Sequence, residues 1–78
     1  EALRYRRYIA NTHRRLALVL RRAGRTDEAL GHLAVAGRVA ATLDSPEVAA
    51  EIERELALTH EARGDLAAAL ASERRLAA

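Results

Sequence analysis

The side chains in this chain that could do chemistry are mainly arginines. All 13 of its Lys and Arg residues are arginine, and eight of them stand among residues 1–25 beside one Glu, which gives that segment a charge of +7. Residues 26–78 hold five Arg and ten acidic residues, a charge of −5. The two segments should attract each other, within one chain or between two copies. The basic segment carries a stripe at Arg4, Arg7, Arg14, Arg21 and Arg25, with Arg15 and Arg22 beside it.

Three chemistries fit this arginine stripe. Guanidinium groups neutralise nucleic-acid phosphates, recognise the carboxylates of an acidic peptide, or pair with glutamates of the same protein. The net charge of the chain is only +2, and no helix-turn-helix or aromatic stacking motif interleaves the arginines. Nucleic-acid binding is therefore an alternative, and partial pairing with Glu51, Glu55 and Glu61 is the simplest expectation.

The remaining titratable side chains do not form a catalytic or metal-binding pattern. His13, His32 and His60 are too scattered along the sequence for a ligand cluster, and no HExxH motif occurs. Glu51, Glu53 and Glu55 point in different directions on a helix and are not a catalytic pair. The chain has no cysteine, no phosphate-binding glycine loop and no nucleophile elbow. We expect no enzyme activity, no cofactor and no metal.

The composition indicates closely packed helices. Half of the residues are hydrophobic, yet Phe, Trp, Met and Cys are absent, so a core must come from Ala, Leu, Val and Ile. No apolar run approaches the roughly 20 residues that a membrane span requires. The first residues are mixed and charged, unlike a signal peptide. We expect a cytoplasmic protein that does not enter a membrane.

Helical periodicity and capping residues predict four helices and no strand. Helix one covers 2–23 and continues through Asn11 and Thr12, with Gly24 ending it in a left-handed conformation. Helix two begins at the N-cap Thr26. Ser45 caps helix three, which runs to Arg63 before Gly64. Asp65 caps helix four. The expected inward residues are Leu3, Ile9, Ala10, Leu16, Ala17, Leu20 and Ala23 in helix one; Ala29, Leu33, Ala36, Ala40 and Leu43 in helix two; Val48, Ile52, Leu56 and Thr59 in helix three; and Leu66, Ala69, Leu70 and Leu76 in helix four.

Part of the pattern occurs twice, forty residues apart, and it resembles the tetratricopeptide repeat. The first copy matches at Leu16-Ala17, Leu20, Gly24, Ala29, Leu33 and Ala36. The second copy matches at Leu56-Ala57, His60, Gly64 and Ala69, and then departs at Glu73 and Leu76. The forty-residue period is longer than the usual repeat of about 34 and is similar to the long-helix variant of large bacterial signalling proteins.

The resemblance, which covers residues 10–77, implies an all-α fold of two stacked antiparallel helix hairpins. The chain is then a single domain, 1–78, with hairpin one at 2–43 and hairpin two at 45–77. It also implies a non-catalytic protein–protein interaction scaffold that binds a peptide, a helix or a second subunit. By position, the first helix of each repeat would present partner-binding residues at Asn11, Arg14, Leu18, Arg21, Glu51, Arg54, Leu58 and Glu61.

Leu18 and Leu58 add an argument that does not depend on the resemblance. Each lies two residues beyond a leucine expected in the core, Leu16 or Leu56, and so cannot share its face. A neighbouring repeat, a second subunit or a peptide should cover them. We therefore expect a homodimer or a longer repeat array, with an acidic peptide as a further candidate partner. The alternative function is a dimerisation or sensor module of a larger bacterial signalling or transcription-regulatory protein, for example one attached to a cyclic-dinucleotide enzyme.

Overall fold

The computed structural model describes the backbone of residues 2–64 and 66–77, and the side chains of 2–64 and 70–76. Over these ranges the fold is all-helical, as predicted, and no strand is present. The helices are α1 (Ala2–Arg22), α2 (Thr26–Ala40), α3 (Pro46–Arg63) and α4 (Leu66–Ala77). Helix α1 is continuous through Thr12, as predicted, and the Thr12 hydroxyl donates to the carbonyl of Tyr8 within the helix (2.8 Å).

The turn between α1 and α2 is closed by Gly24, which has the predicted left-handed backbone (φ +80°). The N–H of Gly24 donates to the carbonyl of Arg21 (3.0 Å), and the N–H of Arg25 donates to that of Leu20 (2.8 Å). These two bonds form a Schellman motif, which satisfies carbonyls at the end of α1. Gly64 is also left-handed (φ +86°) and ends α3 as predicted.

The predicted cap of α2 is wrong, whereas the predicted cap of α3 is confirmed. Arg25 occupies the N-cap of α2 without a side-chain capping bond, and Thr26 is already helical. The carbonyl of Arg25 already accepts a hydrogen bond from the N–H of Ala29 (3.1 Å), so α2 begins one residue earlier than predicted. At α3, the Ser45 hydroxyl accepts from the N–H of Val48 (3.4 Å), and Pro46 is the first helical residue. The proposed cap Asp65 lies outside the described residues.

The helices pack around a core made largely of small side chains. Helix α1 packs on α2, α3 packs on both of them, and α4 packs on α3. Cα atoms span only 14 Å in the thinnest direction against 39 and 28 Å in the others, so the chain is a flat slab about two helices thick. The buried cluster consists of Ala10, Ala17, Leu20, Ala29, Leu33, Ala36, Ala40, Val48 and Ile52.

The predicted core is correct for α2 and needs revision in α1 and α4. In α1, Ala10, Ala17 and Leu20 are buried, but Leu16 is 40% exposed and both Leu3 and Ala23 are exposed. The reason is that α1 carries apolar residues on two sides, and only the side of Ala17 meets α2 and α3. In α4, Leu70 is exposed and Ser72 is buried in its place. The side chains of Leu66 and Ala69 lie outside the described residues.

The predicted inward set of α3 is confirmed at Val48, Ile52 and Thr59, and Leu56 is partly buried. Glu55 and Ala57 are buried as well, which the helical period did not predict. In α2, the last expected member, Leu43, is partly buried beyond the end of the helix.

Candidate partner-binding groove

Two of the predicted partner-binding arginines hold α3 in place instead of facing solvent. The Nε of Arg21 donates to a carboxylate oxygen of Glu55 at 3.2 Å, and Arg14 lies 3.7 Å from Glu51. The predicted pairing of the basic helix with Glu51 and Glu55 is thus confirmed. Within the described part of the chain, Glu61 makes no such pair with α1. Arg14, Arg21 and Glu51 therefore belong to an internal interface.

The other predicted residues of the first copy are partly covered too. Asn11 and Leu18 are half-buried on α1. The argument that Leu18 needs a partner rested on Leu16 occupying the core, and the exposure of Leu16 removes that premise. In the second copy the premise holds, since Leu56 packs against the core while Leu58 is 43% exposed.

The second copy forms an open groove between α3 and α4. Arg54, Leu58 and Glu61 line it, three of the residues predicted to bind a partner. Ala57 adds apolar surface from α3, and α4 contributes Glu73 and Leu76. The cavity measures about 190 Å³. The resulting surface has an apolar floor between charged groups of both signs.

The groove corresponds, position by position, to the surface on which α3 lies. Forty residues before Arg54, Leu58 and Glu61 stand Arg14, Leu18 and Arg21, and the two arginines of that earlier set bind α3. The other lining residues likewise correspond to Ala17, Leu33 and Ala36 of the first copy. A surface that holds a helix in the first copy is therefore open in the second.

A histidine pair joins α1 to α2, and sequence reasoning missed it. The Nδ1 atoms of His13 and His32 are 3.0 Å apart, so one ring donates and the other accepts. The rings are stacked with their centroids 5.2 Å apart. The two residues are nineteen positions apart, and only the pairing of the helices shows that they meet. Across the described residues no group of three His, Asp or Glu side chains is placed to hold a metal ion.

Further ion pairs among the described residues lie at a helix end and between helices. Arg25 donates two hydrogen bonds of 2.7 Å to Glu28, and this bonding lowers the pKa of the Glu28 carboxyl. Because the carboxyl pKa is lower in the folded chain, this pairing stabilises the fold at a pH above the ordinary carboxyl pKa. The contribution is lost as the pH falls through the lowered pKa. Arg63 of α3 forms an ion pair with Asp27 of α2, with 3.3 Å between Nη2 and Oδ1. Arg75 of α4 forms one with Glu53 of α3, with 2.9 Å between Nε and Oε2.

A cavity larger than this groove lies at the first turns of α1. It has a volume of about 400 Å³ and separates the first turns of α1 from the loop between α2 and α3. Arg4 and Arg7 of the arginine stripe line it together with Asp44 and Leu43.

Comparisons with known proteins found no significant match. No protein-family profile matches the chain, and neither a curated protein nor a solved structure is significantly similar to it. Of the helices described here, none is long and apolar enough to cross a membrane.

Proposed function

We propose that this chain is a non-catalytic scaffold of the tetratricopeptide type that binds an α-helix of a protein partner in the groove between α3 and α4. One observation carries the proposal. Arg54, Leu58 and Glu61 line an open groove, and two of their counterparts forty residues earlier, Arg14 and Arg21, pair with glutamates of α3. The chain thus contains its own example of the binding mode.

The chemistry of the groove suits an amphipathic helix. Leu58 and Leu76 offer apolar surface, while Arg54, Glu61 and Glu73 can fix the register of a partner. Proteins bind helices in this way by laying the apolar face of the helix into the groove. Further support for the repeat type comes from α3, which packs on both preceding helices, and from the left-handed glycine in each copy.

The charges in the groove favour a partner helix with basic groups. Two of the three charged lining residues are acidic, Glu61 and Glu73. Arg14 and Arg21, which were expected to attract an acidic peptide, already bind glutamates of α3. An acidic partner would instead meet exposed arginines such as Arg15 and Arg22, and that hypothesis stays a prediction.

A selection for helical peptides tests the proposal. Peptides with a fixed helical backbone and randomised surface positions would be selected on the chain and measured by fluorescence anisotropy. We expect apolar and basic residues on one face of the selected helices, and NMR shift changes at Leu58 and Glu61. Leu58→Glu should weaken binding at least about tenfold. The matched variant Leu3→Ser alters another exposed leucine and should leave affinity unchanged. Binding that is insensitive to Leu58→Glu would refute this groove as the site.

The alternative function, a dimerisation module of a larger signalling or regulatory protein, is favoured by a different surface. Helix α1 exposes Tyr5, Tyr8, Leu16 and Val19. Exposed apolar residues in contiguous patches usually have a partner. This surface also bears on what occupies the groove.

A further inference from the structure

The exposed residues of α1 follow the helical period and form one continuous surface. Tyr5, Tyr8, Thr12, Leu16 and Val19 are separated by three or four positions, so they lie on one side of the helix. All five are exposed, and this side faces away from the buried Ala17. We refer to these five residues as the α1 stripe.

The α1 stripe corresponds to the surface with which α3 packs on the rest of the chain. Forty residues after Tyr8, Thr12, Leu16 and Val19 stand Val48, Ile52, Leu56 and Thr59. Of these four, Val48, Ile52 and Thr59 are buried, and Leu56 is partly buried against the core. The stripe is therefore one half of a repeat-to-repeat interface, and the groove between α3 and α4 is the other half.

We propose that the groove is occupied by the α1 stripe of a second copy of this chain, so that copies associate head to tail. This inference rests on the proposed function, because it names the helix that the groove binds. The packing of α3 on α1 and α2 within one chain is the template for this contact. Leu16 and Val19 of one copy would lie against Leu58 and Leu76 of the next.

Charge complementarity favours a second copy over an unrelated helix. Inside the chain, Glu55 of α3 binds Arg21 of the surface beneath it. Forty residues before Glu55 stands Arg15, which lies beside the α1 stripe, and forty residues after Arg21 stands Glu61, which lines the groove. The acidic residue of the internal pair becomes basic and the basic residue becomes acidic, so an ion pair can form between copies as Arg15–Glu61. Among the described residues neither of these two side chains has a salt bridge within the chain, which leaves both available.

The positions that correspond to the internal pair Arg14–Glu51 are also compatible with contact between copies. Glu51, which meets Arg14 inside the chain, corresponds to Asn11, and Arg14 corresponds to Arg54. An asparagine carbonyl can accept from a guanidinium, so no like charges meet at this position. Since the stripe and the groove are different surfaces, the contact is heterologous and does not close by a twofold axis. Association should form open chains whose mass grows with concentration.

Complementary blocked variants test this arrangement. The stripe variant Leu16→Glu/Val19→Glu keeps its groove, and the groove variant Leu58→Glu keeps its stripe. By light scattering, the unmodified chain should gain mass with concentration, and each variant alone should stay monomeric. An equimolar mixture should form a 1:1 complex that grows no further. A groove variant that dimerises alone would show a symmetric stripe-to-stripe contact and overturn the proposal.

A charge exchange gives a second, independent measurement. Arg15→Glu and Glu61→Arg should each weaken association about tenfold, and the double variant should recover affinity to within about threefold of the unmodified chain. Arg38→Glu, on the exposed side of α2, is the matched control and should change nothing. Circular dichroism would verify that every variant is folded. An unmodified chain that is monomeric at about 1 mM would refute self-association; if it still bound selected helical peptides, the proposed function would stand without it.

Discussion

Single glycines in this chain differ in what their backbone requires. Gly24 has a positive φ, whereas Gly31 lies within α2 in ordinary helical conformation, and neither has a neighbouring atom within 4 Å of an added Cβ. Substitution at Gly24 therefore tests backbone strain without steric clash. Gly24→Val should lower the free energy of unfolding by about 1 kcal/mol or more, because Cβ disfavours the left-handed region. Gly31→Ala should raise it by about 0.5–1 kcal/mol. Chemical denaturation measures both, and similar effects at the two positions would contradict the turn geometry.

Glu55 is a buried acidic residue that pairs with one arginine. Its side chain is 7% exposed, and its carboxylate lies 3.2 Å from the Nε of Arg21. Arg21→Met should cost about 3 kcal/mol of unfolding free energy, because it leaves a carboxylate without its partner at a helix interface. The double variant Arg21→Met/Glu55→Leu should lie close to the unmodified chain. A double-mutant cycle from denaturation curves measures the difference, and additive effects would show that the two groups do not act as a pair.

At the scale of the elements, alanine sets the distance between helices. Ala29 on α2 is 0% exposed and belongs to the core shared with α1 and α3. Ala29→Leu should destabilise the chain by about 1–3 kcal/mol, because the added carbons force the helices apart. Ala34→Leu on the exposed side of α2 is the control and should have little effect on the melting temperature. Equal tolerance at both positions would show that the crossing is loosely packed.

For the whole molecule, thinness limits the stability that one copy can reach. A chain of 78 residues buries only about 60% of the surface that its unfolded form exposes, and a slab with a 14 Å thin axis leaves apolar residues uncovered. If copies bind one another, the melting temperature should rise with protein concentration, since association stabilises only the folded state. Calorimetry over a hundredfold concentration range measures this. The stripe variant Leu16→Glu/Val19→Glu should melt at one temperature throughout, and a concentration-independent unmodified chain would argue against assembly.

The residue sequence alone determined three of the helix boundaries. Gly24, Gly64 and the Ser45-Pro46 start act through hydrogen bonds and backbone preferences within a few residues, and the structure has all three as predicted. The predicted cap of α2 was one residue too late, because the carbonyl of Arg25 already accepts the first hydrogen bond of the helix. Local chemistry of this kind can be read without knowledge of the fold.

Only the tertiary structure decided which side of each helix is covered. Helix α1 has apolar residues around Ala17 and around Leu16, and periodicity cannot choose between two such sides. The choice depends on which neighbours are close enough to remove water, and α2 and α3 approach the side of Ala17. The same long-range packing buried Glu55 against Arg21 and brought His13 to His32. Helical boundaries are local properties of the sequence, whereas burial belongs to pairs of helices and appears only once they pack.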